Sequence, residues 1–208
     1  MNHIARLIIV LGLIAMTQLS LAAPAASVNP RVRMETSVGV IILELDRTKA
    51  PATVANFLRY VHEGFYDGTV FHRVIKHFMI QGGGYEASFR KKTTHEPIRN
   101  EADNGLTNLR GTIAMARTGD PHSATAQFFI NTVDNRFLNY SAPTRRGWGY
   151  AVFGKVLQGM AVADQIEQLP TGQAGPFPRD VPHPLVVIQR VTLLPAAAPA
   201  PGNKANPD

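Results

Sequence analysis

Cysteine is absent from the 208 residues, and this absence excludes several kinds of chemistry. Without a thiol the chain cannot form a disulfide, a catalytic thiolate or a Cys-based zinc site. Charged residues are also few, at 17%, and the surplus of Lys and Arg over Asp and Glu lies in small groups at residues 90–92 and 145–146. Because these groups form no long stripe with interleaved aromatic residues, the composition favours a solvated surface and predicts no nucleic-acid partner.

The N-terminal 25 residues form a separate segment, in which Arg6 is the only charged side chain before Pro24. A basic start, an apolar run over residues 7–16 and small residues over 20–25 are the parts of a secretory signal peptide. We therefore expect a signal peptide over residues 1–25, cleaved near Ala22 to Ala25, and no membrane anchoring after cleavage. The alternative is an N-terminal anchor, but the run is shorter than the roughly 20 residues of a spanning helix.

The other end of the chain, residues 195–208, is rich in Ala and Pro. It contains no aliphatic or aromatic side chain larger than Ala, so burial cannot offset the entropy of ordering it, and we expect a disordered tail. Between the two ends the composition is even and shows no internal repeat. We therefore expect one folded domain over residues 31–194.

Short β-rich runs dominate this domain. A hairpin is predicted at Thr36 and Ser37, between strands over residues 31–35 and 38–45. Apolar periodicity predicts two helices, one from Pro51 to Gly64 and one over residues 160–169. Further strands are predicted over residues 70–74, 78–81, 111–116, 128–131, 152–156 and 185–193. Many short strands with only two helices favour a closed β-barrel with helical lids.

The most informative stretch covers residues 70–84 and reads VFHRVIKHFMIQGGG. Because alternate side chains of a strand share a face, we expect Met79 and Gln81 on one surface and Phe71 and Arg73 together on the preceding strand. A lone guanidinium among bulky apolar residues is costly to bury without a partner. These residues alone leave two interpretations of Arg73 open, a functional arginine or an arginine that pairs with a carboxylate or a backbone carbonyl.

Two other patterns predict no ligand site. The glycines at residues 82–84 fit neither the dinucleotide-binding nor the Walker pattern. We interpret them as a flexible loop exit, that is, a segment where the chain leaves the strand and enters a loop. The seven histidines include no His-x-x-x-His helix pair. The sequence therefore predicts neither a metal site nor a cofactor.

Dispersed segments of the chain resemble the cyclophilin family in their order and spacing. They are FHRVI and FMIQGG within residues 71–83, GTIAMA at 111–116, Ser123 with QFFI at 127–130, and VFGKV at 152–156. The resemblance covers roughly residues 32–194, and the chain is most similar to bacterial periplasmic cyclophilins, which implies a periplasmic location. It also implies a mainly β fold, an eight-stranded antiparallel barrel capped by two α-helices, with the substrate groove on its outer surface.

The resemblance assigns roles by position. Arg73 corresponds to the catalytic arginine of the family. The residues that correspond to the pocket for the substrate proline ring are Phe78, Met79, Phe129 and Leu138. The groups that correspond to those holding the peptide main chain are Gln81 and the backbone of Ala116 and Arg117, with Gln127 beside them. Phe137 and Tyr150 stand where the best-known eukaryotic members carry tryptophan and histidine, so we expect weak cyclosporin binding with activity retained.

These residue types suit rotation about an X-Pro peptide bond, which costs about 18–20 kcal/mol because the bond has partial double-bond character. Half-way rotation leaves a lone pair on the prolyl nitrogen, and a fixed guanidinium would bind that state better than either planar state. No nucleophile, metal or cofactor is needed. We expect a monomeric peptidyl-prolyl cis–trans isomerase that acts on proline-containing unfolded or flexible polypeptides during the folding of exported proteins. The alternative is a non-catalytic peptide-binding chaperone module that uses the same groove.

Overall fold

The computed structural model describes residues 29–195. The predicted signal peptide, and the predicted tail from residue 196 onward, lie outside the described residues. The elements in chain order are β1 (Arg31–Thr36), β2 (Gly39–Leu45), α1 (Pro51–His62), β3 (Thr69–Ile75), β4 (Met79–Glu86), β5 (Thr112–Met115), β6 (Phe128–Asn131), β7 (Val152–Gln158), α2 (Met160–Gln168), β8 (Thr171–Ala174), β9 (Phe177–Pro182) and β10 (Val186–Leu193). Two short 3₁₀ turns, Ala102–Asn104 and Arg136–Leu138, lie between the strands.

Eight strands close into an antiparallel barrel in the order β1-β10-β3-β4-β6-β5-β7-β2. This closure, with the two helices at the predicted positions, confirms the predicted fold class. The remaining strands, β8 and β9, pair with each other in a separate hairpin. The sequence interpretation missed this hairpin and predicted no strand between the second helix and residue 185. Within residues 29–195, no helix is long and apolar enough to cross a membrane.

The core fills the inside of the barrel with alternate side chains of its strands. Val32 and Met34 of β1 are buried, whereas Arg33 between them is only partly buried. Phe57 of α1 packs into the same core, with its ring centroid 5.8 Å from that of Phe128 and 5.2 Å from that of Phe153. Side chains from the helix and from opposite strands meet in one cluster, so the interior of the barrel is closely packed. This packing fixes the positions of the strands that carry the outer surface.

Helix α1 has the apolar face that the sequence predicts. Proline at residue 51 occupies the first turn, where its missing N–H costs no hydrogen bond. Val54, Phe57, Leu58 and Val61 are all buried against the barrel. Helix α2 covers its part of the barrel with the fully buried Ile166 and the partly buried Val162, and Leu169 just after the helix packs on the same core.

The predicted common face of Phe71 and Arg73 is wrong. Phe71 lies opposite Gly82 and Arg73 lies opposite Gln81, so β3 has one residue more than β4 between these two pairs. The extra residue is His72, and such a bulge reverses the alternation of side chains along the strand. Phe71 is therefore fully buried in the core, whereas Arg73 lies on the outer surface of the barrel.

The interpretation of residues 82–84 as a loop exit is also wrong, because these glycines are part of β4. They are required by close packing on the backbone. A Cβ at position 83 would lie 2.7 Å from the ring of Phe128, and one at position 84 would lie 2.5 Å from Cγ of Gln127. Gly83 also has φ +80°, which few other residues adopt. Glycine here lets an aromatic ring and an amide side chain lie directly on the strand.

Candidate active site

A small pocket of about 100 Å³ lies on the outer face of the barrel. All of the predicted site residues except Gln127 and Phe137 line it. The lining residues are Arg73, Phe78, Met79, Gln81, Ala116, Arg117, Phe129, Leu138 and Tyr150. Residues separated by up to 77 positions in the sequence, from Arg73 to Tyr150, therefore meet at one place.

Apolar side chains on the outer face of the barrel form the floor of the pocket. Met79 and Phe129 are almost fully buried there, together with Ala114 and Val152. β6 is buried along its whole length, because Phe128 points into the core and Phe129 into this outer cluster. The alternation that predicts Met79 and Gln81 on one surface holds, since Ile80 between them points into the core. The pocket therefore has a rigid apolar floor.

A chain of polar side chains borders the pocket on one side. Nη1 of Arg73 donates a hydrogen bond to Oε1 of Gln81 at 3.3 Å. Nε2 of Gln81 in turn donates to Oε1 of Gln127 at 3.1 Å. Gln127 lies behind Gln81 and supports it, whereas the Arg73 side chain remains 42% exposed. The guanidinium is thus oriented by the amides and still open to the pocket.

The segment after β5 offers backbone groups beside this polar chain. The amide N–H of Ala116 is used, since it donates to the carbonyl of Gln127 at 2.9 Å. Within residues 29–195, no backbone hydrogen bond engages the Ala116 carbonyl or the Arg117 amide. These two groups are in a position to pair with an extended peptide. The Arg117 guanidinium stacks over the ring of Tyr150 at 4.7 Å and donates from Nε to the carbonyl of Gly149.

Phe137 forms the outer rim of the site. Its side chain is 75% exposed, and its ring stacks on that of Phe78 with the centroids 5.7 Å apart. A large apolar side chain so exposed is unusual among the described residues, where most aromatic rings are buried. The stacked pair extends the apolar surface of the pocket outward.

Buried polar side chains that the sequence interpretation missed hold the rim in place. Asn135 donates from Nδ2 to the carbonyl of Phe78 at 2.8 Å and to Oδ1 of Asn131 at 2.7 Å. Glu167 of α2 accepts hydrogen bonds from the His77 amide and the Thr132 hydroxyl. The asparagines could have been suspected from the position of Asn131 at the end of an apolar strand. Nothing local in the sequence connects Glu167 with the β3–β4 turn.

A carboxylate that the sequence interpretation also missed lies beside the arginine. Oδ2 of Asp180, in β9, is 3.9 Å from Nε of Arg73. Both interpretations of Arg73 that the sequence left open therefore apply in part, because the guanidinium has a carboxylate neighbour and also lines the pocket.

His72, next to Arg73, does not add a second positive charge to the site. Its ring is buried between Tyr85 and Phe177, with ring centroids 4.7 Å and 5.2 Å away. Burial lowers the pKa of His72 to about 4, so the imidazole is neutral near pH 7. Within residues 29–195, no group of three His, Asp or Glu side chains is arranged to hold a metal ion.

The model of the family described as cyclophilin type peptidyl-prolyl cis-trans isomerase/CLD matches residues 31–193. The chain belongs to this family. Peptidyl-prolyl cis-trans isomerase B of Escherichia coli strain K12 is 56% identical over 162 residues, which are 78% of this chain and 98% of that protein. Peptidyl-prolyl cis-trans isomerase A of Dickeya dadantii strain 3937 is 53% identical over 170 residues, 82% of this chain and 87% of that protein. The resemblance of the sequence to the cyclophilin family is thereby confirmed.

A solved structure agrees with the fold. The cyclophilin type peptidyl-prolyl cis-trans isomerase of Cryptosporidium parvum, crystallised in the presence of the dipeptide Ala-Pro, superposes with a TM-score of 0.63 and 27% identity. The match covers 79% of this cyclophilin and 99% of the other chain.

Proposed function

We propose that this cyclophilin accelerates rotation about X-Pro peptide bonds during the folding of exported proteins, with Arg73 as its catalytic residue. The isomerase activity follows from its family and from relatives that are named peptidyl-prolyl cis-trans isomerases. The observation that carries the role of Arg73 is its half-exposed guanidinium, bonded to Gln81 and set beside an apolar floor. Proline-containing unfolded or flexible polypeptides are the proposed partners.

In the proposed mechanism the proline ring lies on Met79 and Phe129, and the backbone of Ala116 and Arg117 holds the peptide. The acyl side then turns while the ring stays still. At half rotation the prolyl nitrogen becomes pyramidal and gains a lone pair, to which Arg73 donates a hydrogen bond. This contact is stronger in the twisted state than in either planar state, so it lowers the barrier. The reaction transfers no group and no electron, so it requires neither a cofactor nor a metal.

The magnitudes show that Arg73 cannot act alone. Uncatalysed X-Pro isomerisation takes tens to hundreds of seconds, so turnover in milliseconds requires an acceleration of about 10⁵, or about 7 kcal/mol. A hydrogen bond from a charged donor contributes about 1.5–3 kcal/mol of this. Orientation of the peptide on the rigid floor and its removal from water must supply the rest.

The test of this function measures catalysis and binding on the same variant. For Arg73→Ala we expect isomerisation of a proline-containing test peptide to fall by a factor of about 10 to 150, while binding of an unfolded client protein is retained. Arg59→Ala, which changes an exposed arginine of α1, is the control and should keep full activity. Unchanged isomerisation by Arg73→Ala would exclude the proposed role of Arg73. No acceleration by the wild-type protein would instead leave a peptide-binding chaperone as the better description of the groove.

The periplasmic location is a separate proposal, supported by the basic start, the apolar run and the small residues of the N-terminal 25 residues. We expect expression of the full chain in a Gram-negative host to release the protein with the periplasmic fraction, and N-terminal sequencing to find a mature start just after Ala22 or Ala25. A protein that stays in the cytoplasmic fraction and keeps its first residues would contradict the proposal.

We also propose that the protein is a monomer with weak affinity for cyclosporin. The rim residue that would contact the drug is Phe137, which offers neither the area nor the N–H donor of a tryptophan. Sedimentation of the mature protein at micromolar concentration tests the monomeric state, and a stable dimer would contradict it.

A further inference from the structure

The hairpin of β8 and β9 lies against the strand that carries the catalytic arginine. Its contact with that region is apolar and well packed. Phe177 of β9 meets the rings of His72 and Tyr85, with centroids 5.2 Å and 5.0 Å away. Val181, further along the same strand, is fully buried. The packing fixes the position of β9 next to β3, so the three residues between these anchors have a defined place.

One of these three residues is Asp180, whose backbone has φ +69°. This left-handed conformation is uncommon for residues other than glycine, although aspartate adopts it more readily than most. Glycine would be the unstrained choice at this position. Strained residues are often found at functional sites, where the surrounding structure maintains them. An aspartate in this strained conformation therefore suggests that its side chain has a role.

The carboxylate of Asp180 is directed at Arg73. Oδ2 lies 3.9 Å from Nε of Arg73, and the carboxylate is only 24% exposed. The other end of the guanidinium is bonded to Gln81 through Nη1. The same oxygen lies 3.6 Å from Nε of Arg179, but that arginine is 84% exposed and points into solvent. Arg73 is thus the inward-facing partner, with Gln81 hydrogen-bonded at one end of its planar head group and the Asp180 carboxylate close to the other end.

We propose that Asp180 is a positioning residue, which fixes the orientation of the Arg73 guanidinium toward the prolyl nitrogen. The inference rests on the proposed function, because it assumes that Arg73 is catalytic. Arginine has a long, flexible side chain, and a catalytic contact is weakened when the group is displaced by about 1 Å. A partly exposed ion pair adds little to stability. Asp180 should therefore affect catalysis more than folding.

The experiment compares Asp180→Ala and Asp180→Asn with Arg179→Ala as the matched control. We expect Asp180→Ala to lower kcat about five- to tenfold with KM changed less than twofold. Asp180→Asn should give an intermediate value, because the amide keeps the size and the dipole of the side chain but not the negative charge that attracts the guanidinium. Arg179→Ala should leave kcat within twofold. In ¹⁵N-labelled protein, the Nε–H resonance of Arg73 should shift or broaden in both Asp180 variants and stay in place in Arg179→Ala.

A double variant separates this inference from the proposed function. If Asp180 acts through Arg73, replacing Asp180 in an Arg73→Ala background should have no further effect on kcat. A further loss in that background, or full activity and an unchanged Arg73 resonance in Asp180→Ala, would overturn the positioning role while leaving Arg73 catalytic. Full activity of Arg73→Ala itself would instead remove the proposed catalytic role of Arg73 and this inference together.

Discussion

A methyl group added at Gly84 should disturb Arg73 from a distance. A Cβ at this position would lie 2.5 Å from Cγ, 2.7 Å from Cδ and 2.8 Å from Nε2 of Gln127. Ordinary contacts are 3.4 Å or more, so the Gln127 side chain must move by about 1 Å. Its hydrogen bond from Gln81, which supports Arg73, would then be lengthened or lost.

The size of the effect follows from that hydrogen bond. A typical net contribution of about 0.5–1.5 kcal/mol corresponds to a factor of about 2–12 in rate if the whole amount is lost from the transition state. We therefore expect Gly84→Ala to lower kcat/KM for a proline-containing test peptide by about this factor. The change would appear in kcat, since neither Gly84 nor Gln127 lines the pocket.

A second glycine provides the control. A Cβ at Gly119 would meet only the flexible end of Arg145, at 3.4 Å, so Gly119→Ala should have less than a twofold effect. If Gly84→Ala does not fold, Gln127→Ala removes the same support without overpacking the strand and should show a similar loss. Wild-type activity in a folded Gly84→Ala or in Gln127→Ala would refute the idea that the amide chain holds Arg73.

Three further predictions concern the pH response, the turn beside the pocket and the rim. Burial lowers the pKa of His72 to about 4 in the folded protein, whereas the pKa in the unfolded chain is about 6.5. Between these two pH values the unfolded chain therefore binds more protons than the folded protein. The free energy of unfolding should fall as the pH drops from about 6.5 to about 4, by up to about 3 kcal/mol. Urea titrations at several pH values measure this loss of stability, which should be smaller in His72→Gln. An equal loss in both proteins would show that His72 is not its cause. Glu167→Ala leaves the His77 amide and the Thr132 hydroxyl without their acceptor, so thermal unfolding should show a loss of about 2–4 kcal/mol, with a smaller loss in Glu167→Gln. Phe137→Trp should strengthen cyclosporin inhibition several-fold with isomerase activity unchanged, and an unaltered inhibition constant would show that this rim position does not control drug affinity.

Local patterns in the sequence were sufficient to predict most of the barrel. Strand alternation predicts β1 and β2, where Val32 and Met34 enter the core, and the apolar face of α1 follows from a spacing of three and four residues. Alternation also predicts Met79 and Gln81 on one surface. These features depend only on near neighbours in the chain, so they can be recognised without knowledge of the fold.

The remaining features depend on contacts between distant segments. The bulge at His72 moves Arg73 to the outer surface, and it is accommodated by the rings of Tyr85 and Phe177, which follow it by 13 and 105 residues. The β8–β9 hairpin has little apolar alternation, so its pattern does not distinguish it from a loop. Asp180 reaches the site only because this hairpin packs on β3, and the glycines of β4 are explained only by the side chains that cover them.

The central claim is that this groove itself turns an X-Pro bond with the help of Arg73, and exchange NMR tests it most directly. A proline-containing peptide at equilibrium shows separate cis and trans resonances, and their uncatalysed exchange is too slow to produce cross-peaks. We predict that a catalytic amount of the wild-type protein produces cis–trans exchange cross-peaks and that the same amount of Arg73→Ala does not. Cross-peaks of equal intensity with both proteins would contradict the account.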